Sequence, residues 1–202
     1  GKPSAIYVDY APSKDQLESM SIYLMSRELL IKKVRSLSAQ GLYHFEQDFV
    51  QRSFNRNELT FNVYEFRDVV LRNNTIEHYL KNNLLLADDN VRSSIFKKNS
   101  PIYTRVRDEV PAYYGPKSKV NGCSVADGCI INGTVENSSI SRDVRVGENA
   151  VIKNSVIMRS CVIESGAYVE NAIIDKDVTV TGDVKLIGTP SRPMIVGKGT
   201  RL

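Results

Sequence analysis

The chain of 202 residues has little of what side-chain catalysis and covalent cross-linking use. Histidine occurs twice, at His44 and His78, both in the first half. Cysteine occurs three times, as Cys123, Cys129 and Cys161. An odd number without metal-ligand spacing excludes a disulfide framework and a zinc site. It reads as reduced thiols in a cytoplasm, serving as small apolar side chains that point into a core. No apolar run approaches the ~20 residues that a membrane span requires, so no membrane is expected. Gly1-Lys2-Pro3-Ser4 begins no signal peptide. A start without Met that runs straight into Ala5-Ile6-Tyr7-Val8 is expected of a piece of a longer protein. The net charge is only +4, with basic and acidic residues interspersed. That argues against a nucleic-acid partner and leaves room for a local phosphate site. There is no GxGxxG and no P-loop lysine motif. Two histidines in one half support no Ser-His-Asp arrangement.

What is present falls into two rhythms. Residues 1–100 mix helix and strand signals in an α/β pattern too short for a complete doubly wound domain. Ser19 to Met25 alternates like a strand. Ser26 can cap a helix over Arg27 to Ala39, with Leu29, Leu30, Ile31, Val34 and Leu37 on its apolar side and Gly41 at its end. A second helix is expected around Phe45 to Phe54, a strand over Leu59 to Val63, and a helix over Thr75 to Leu86 capped by Asn74.

Residues 101–202 form the second region, and from about 115 onward they show no helical period. Aliphatic residues recur at 140, 146 and 152, at 157, 163 and 169, and at 174, 180 and 186. The steps of 6, 6 and 5 sum to a period of 17, and every one of these positions is Ile, Val or Leu. The beat extends less regularly back to Val135 and Val125. A hexapeptide beat is the signature of a β-helix, here an all-β single-stranded left-handed parallel β-helix. Each hexad is one flat side of a triangular coil. Its aliphatic residue points inward and stacks on the coil below, while Gly147, Asn149, Ser165, Gly166 and Asp177 are expected at corners. Hexapeptide β-helices that are acyltransferases or metal-dependent hydratases carry histidine in the coils. Neither histidine here lies there, so the acyltransferase reading is excluded.

Four segments carry a resemblance. Glu18-Ser19-Met20-Ser21-Ile22-Tyr23 is similar to E-A-S-M-G-I-Y. Tyr43 to Val50 is similar to S/H-D-F-G-K-D-I-I. Asn74 to Leu84 is similar to G-T-I-D-A-Y-x-x-A-N-M, and Ile102 to Ala112 to I-Y-T-x-x-x-x-x-P-P-A. Together these resemble the glucose-1-phosphate adenylyltransferase (ADP-glucose pyrophosphorylase) family of bacterial glycogen synthesis. The resemblance implies that residues 1–100 are the last part of a nucleotidyltransferase (Rossmann-like) domain plus linker. It implies a sugar-pocket role, here vestigial, for Ser19.

The departures matter as much. The aspartate of D-F-G, which in the family helps hold magnesium, falls on His44, and imidazole is a poor ligand for a hard cation that prefers carboxylate oxygen. Tyr10-Ala11 stands where the family's glutamate-lysine pair reaches the sugar phosphate. The glycine of S-M-G is Ser21. These changes resemble the family's non-catalytic regulatory subunit. That implies a catalytic-subunit partner in a hetero-oligomer, expected to be a tetramer. It also implies no cofactor in this chain, and magnesium in the parent complex. Asp175-Lys176-Asp177 is similar to D-K-N, whose lysine contacts effector phosphate in related subunits. Lys176 with Arg105, Arg107 and Lys117 is therefore the candidate set for a sugar-phosphate effector. Tyr113, Tyr114 and Tyr168 are candidates for a subunit contact. The chain alone is expected to be inactive. The alternatives left open are a fragment of a competent glucose-1-phosphate adenylyltransferase and a pyrophosphorylase-like scaffold.

Overall fold

The computed structural model describes residues 1–9, 12–13, 15–104 and 108–202. Contacts group them into two units, Gly1–Arg67 and Asp68–Leu202. The expected boundary at 100/101 thus falls inside the second unit, because the helices after residue 75 go with the coils.

In the first unit, α1 spans Arg27–Ser38. The Ser26 side chain accepts from the Leu29 N–H, which satisfies one of the orphan donors of the first turn. Gly41 follows at φ +72°. A π-helical stretch, Phe45–Gln51, runs into the single turn α2, Arg52–Asn55. Phe45 and Phe49 meet edge to face at 4.9 Å, and Tyr23 lies 5.2 Å from Phe45. Phe49, Val50 and Ser53 are the buried residues here. The two expected strands are corrected. Neither 19–25 nor 59–63 is a strand: among the described residues only Val63 exchanges backbone hydrogen bonds, with Gly1, and alternation becomes a strand only when a neighbour takes the N–H and C=O groups along its length. The apolar side of α1 is only partly covered: the helix has no buried residue, Leu29, Ile31 and Leu37 are half-buried, and Leu30 and Val34 are exposed.

The second unit begins with two helices. α3 spans Ile76–Leu85. Its cap is Thr75, whose side chain accepts from the His78 N–H, rather than Asn74, which instead bonds the His78 ring. α4 spans Asp89–Ile95 and is capped by Asp88, a helix the hydrophobic pattern is too short to announce. The chain then winds through five coils of three short strands each. They are β1 Tyr113–Tyr114, β2 Lys119–Asn121 and β3 Ser124–Val125; β4 Ile130–Ile131, β5 Thr134–Glu136 and β6 Ser139–Ile140; β7 Arg145–Val146, β8 Val151–Lys153 and β9 Val156–Ile157; β10 Val162–Ile163, β11 Tyr168–Glu170 and β12 Ala172–Ile174; β13 Thr179–Val180, β14 Lys185–Ile187 and β15 Met194–Val196. Corresponding strands pair in parallel into three five-stranded sheets. The register is the one the period dictates. Ile140 stacks on Ile157 and Ile174, Val146 on Ile163 and Val180, and Ile152 on Val169 and Leu186. All nine side chains are at most 9% exposed. Each coil alone would expose this face, and stacking buries it.

The corners obey the same period. Asn137, Asn154 and Asn171 turn one corner with φ of +42°, +46° and +49°. Asp143, Ser160 and Asp177 turn the next at +57°, +58° and +60°. Asn149, Gly166 and Asp183 turn the third. All of these except Ser160 are Asn, Asp or Gly, the residue types that tolerate the left-handed region. Gly147 and Ser165 are not among the positive-φ residues; glycine serves at 147 because a Cβ there would sit 2.5 Å from the Ser165 nitrogen.

Just past the asparagine corner, two buried serines, Ser138 and Ser155, form a ladder. The Ser138 hydroxyl donates to the Glu136 carbonyl and accepts from the Ser155 N–H at 3.1 Å. The Ser155 hydroxyl donates to the Lys153 carbonyl and accepts from the Ala172 N–H at 3.0 Å. Ser155→Ala would strand the Ala172 N–H in the core, so the coils should lose about 2 kcal/mol in urea unfolding.

The cysteines are core residues as expected. Cys129 and Cys161 are buried and Cys123 is half-buried. Burial pushes all three thiols above their ordinary range. The thiolate is the reactive species, so native protein should resist alkylation at neutral pH. Cys123 should react first, and all three rapidly after denaturation.

Sheet β3-β6-β9-β12-β15 has an apolar outer face, and α3 covers part of it. Leu80 packs on Val156 and Ile173, flanked by Tyr79, Leu84 and Met158. The Asn82 amide braces the helix by donating to the Arg72 carbonyl and to the Asn73 side chain.

Candidate functional site

Two places correspond to the sequence candidates, and each lies within one unit. In the first unit, the sugar-pocket segment has Ser19 exposed, with its hydroxyl accepting from the Ser21 N–H at 3.1 Å. Ser21 has φ +55°, which explains why glycine suits this place in the family motif. A left-handed residue at 21 turns the chain so that Ser19 folds back on it.

His44 is exposed at the entry to the π-helical stretch. Its backbone N–H donates to the Asp48 carboxylate at 2.9 Å. Asp48 thus holds an orphan donor at the helix start. Its place in the fold is local capping. Magnesium, which the family resemblance implies, does not suit these residues. The position that would offer carboxylate oxygen offers an imidazole, and the Asp48 carboxylate is engaged by the His44 backbone N–H. Among the described residues no three His, Cys, Asp or Glu side chains converge. Tyr10-Ala11, the other departure, lies outside the described residues.

In the second unit, Lys176 is exposed at the corner between β12 and β13. Its backbone N–H donates to the Asp175 carboxylate at 2.7 Å, and no ion pair engages its ammonium among the described residues. Lys117 is exposed at a different corner, between β1 and β2. The two lie three coils apart, roughly 14 Å along the axis at the strand spacing of a sheet. The fold therefore does not bring Lys117 to Lys176. Arg105 and Arg107 lie outside the described residues. Of the tyrosines, Tyr113 and Tyr114 are exposed, whereas the Tyr168 hydroxyl donates to the Glu170 carboxylate at 2.8 Å, which holds it more firmly protonated than usual.

Beside Lys176 the structure shows a groove that the sequence did not announce. Asn74, Thr75, Ile76 and Tyr79 form one wall, and Ile173, Asp175 and Ile195 the other, around a space of about 460 Å³. It exists because α3 covers the sheet at Val156 and Ile173 but stops short of Ile195, which remains exposed. The signal was present as the spacing of Leu80 and Ile76 on one helix, but which sheet they meet is a tertiary fact.

Residues 110–191 match the family model described as GlmU-like, C-terminal hexapeptide. The chain is 38% identical to the glycogen biosynthesis protein GlgD of Bacillus subtilis (strain 168) over 182 residues, which is 90% of this chain and 52% of that protein. It is equally similar to GlgD of Geobacillus stearothermophilus, again 38% over 182 residues. It is 31% identical to the glucose-1-phosphate adenylyltransferase of Geobacillus stearothermophilus over 144 residues, 70% of this chain and 37% of that protein. The chain thus spans about half the length of the GlgD relatives it matches. Among the described residues no helix is long and apolar enough to cross a membrane. With its hexapeptide β-helix and this likeness along nine-tenths of its length, the chain belongs to the family of the GlgD proteins and the glucose-1-phosphate adenylyltransferases.

Proposed function

We propose that this chain is the C-terminal part of the regulatory subunit of ADP-glucose pyrophosphorylase. That complex makes ADP-glucose and pyrophosphate from ATP and glucose-1-phosphate in bacterial glycogen biosynthesis. The subunit assembles with the catalytic subunit in a hetero-oligomer, a tetramer, in the cytoplasm. It acts through assembly and effector response, while magnesium and the chemistry belong to its partner. Nucleotidyl transfer depends on positioning and on metal-borne neutralisation of charge. The observation that carries the reading is His44 at the magnesium-ligand position, with Asp48 committed to its backbone N–H. The similarity to GlgD proteins supports it.

The protein carrying this chain should raise the rate or the effector sensitivity of its organism's glucose-1-phosphate adenylyltransferase when the two are mixed. A catalytic subunit whose kinetics do not change on mixing would contradict the proposal. Of the described effector candidates, Lys176 is the one beside the groove, and it is exposed and in no ion pair among the described residues. Lys176→Ala in the complex should weaken activation by a sugar phosphate about tenfold, the loss of one charge-assisted contact. An unchanged activation constant would remove Lys176 from the site.

A further inference from the structure

One corner of the β-helix carries a column of cations that its fold does not require. The corner leading from the sheet with β12 to the sheet with β13 repeats in every coil. Its register is fixed by backbone hydrogen bonds: Asp143 N–H to the Asp127 carbonyl, Ser160 N–H to Arg142, Asp177 N–H to Arg159, and Gly199 N–H to Lys176. Residues 127, 142, 159, 176 and 198 therefore stand one above another. They are Asp, Arg, Arg, Lys and Lys. Asp127 at the bottom shows that the turn accepts a carboxylate in that place, so geometry does not demand a cation.

The other two corners carry no such column. The equivalent position, at the end of β2, β5, β8 and β11 and just before the left-handed residues Gly122, Asn137, Asn154 and Asn171, holds Asn121, Glu136, Lys153 and Glu170, where Lys153 pairs with Glu136 at 2.9 Å. In the passages to β8 and β11, Glu148 and Ser165 precede the left-handed residues Asn149 and Gly166. In the basic column, Lys198 lies 3.8 Å from the Asp177 carboxylate. Arg142, Arg159 and Lys176 have no ion pair among the described residues. Arg159 and Lys176 are exposed and Arg142 is half-buried. Like charges stacked at the strand spacing of about 4.8 Å repel one another, and an external anion relieves that repulsion.

We propose that the ridge Arg142–Arg159–Lys176–Lys198 is a docking surface for an extended acidic polypeptide segment of a partner protein, laid along the axis of the β-helix. The shape selects this occupant. The corner is convex, so its donors diverge, and a small anion would meet one cation at a time. A linear chain meets all of them. Carboxylates on alternate residues of an extended segment recur about every 6.8 Å, so three of them span the same roughly 14 Å as the four cations. A nucleic acid would also be linear and anionic. The column offers no aromatic side chain on which a base could stack, and such platforms are what single-strand binders add to charge. The surface is distinct from an effector role of Lys176 alone, since Arg142 and Arg159 carry it equally.

The test is fluorescence anisotropy of a labelled alternating glutamate-serine peptide with the full chain at low salt. An oligonucleotide of equal charge serves as competitor. Arg142→Ser combined with Arg159→Ser should weaken binding about tenfold. Lys119→Ser combined with Lys185→Ser removes the same charge from the outer face of β2 and β14, and should weaken it less than about twofold. Circular dichroism confirms that both variants keep the fold. No binding at millimolar peptide, equal weakening by the two variants, or preference for the oligonucleotide would each overturn the proposal.

Discussion

Ile157→Ala should cost the β-helix about 4 kcal/mol, read as a lower urea midpoint at unchanged slope. Ile157 is fully buried, and it stands mid-column between Ile140 below and Ile174 above. Its neighbours are held by parallel ladders on both sides, so they cannot collapse into the space left by the lost atoms. The cost is therefore transfer plus cavity rather than transfer alone. Ile187→Ala removes the same atoms from a side chain that is 54% exposed, and should cost less than about 0.5 kcal/mol. Equal losses at 157 and 187 would mean that the inward column is not what holds the coils.

Gly133→Ala should be comparably damaging for the opposite reason. The passage from Ile131 to Val135 takes four residues, where the equivalent passage from Val146 to Ile152 in the next coil takes six. That shorter corner brings two backbones together. A Cβ on Gly133 would lie 2.4 Å from the Ala150 oxygen and 2.7 Å from the Gly147 oxygen. Neither is the end of a flexible side chain, so the coils must part. About 3 kcal/mol is the expected loss. Gly197 has open space around its Cβ direction, and Gly197→Ala should be neutral. A harmless Gly133→Ala would contradict the tight-corner account.

The same short corner explains why the beat was regular from 140 onward and faltered before it. Coils that repeat every 17 residues announce themselves, because inward aliphatic residues and left-handed corner residues are both fixed by position. The two residues missing from the 131–135 passage shift the phase of everything before it: Val135 still stands 17 residues before its partner Ile152, whereas Val125 stands only 15 before its partner Ile140. At the other end, the chain between Ile187 and Met194 makes a longer excursion than the single residue Asn171 that joins β11 to β12. Gly188 sits at its base, pressed against the Asn171 oxygen and the Met194 nitrogen.

In the first half, legibility stopped at local signals. Ser26 capping α1 and the helix after Phe45 depend on neighbours in sequence, and both formed. The strands expected at 19–25 and 59–63 depend on partners that periodicity does not supply. The candidate site divides in the same way. The mismatch at His44 was visible as a residue in a motif, but the role of Asp48 as acceptor for the His44 N–H needed coordinates. Lys176 was visible through its Asp175-Lys176-Asp177 setting. The column it shares with Arg142 and Arg159 follows from the 17-residue period only after the corner register is known.

On the proposed reading, the protein carrying this chain does not itself perform nucleotidyl transfer. The direct measurement is ADP-glucose formation by that protein alone, at saturating magnesium, ATP and glucose-1-phosphate. The account predicts no turnover above the blank. Robust turnover would contradict it and would assign to the protein the activity proposed here for its partner.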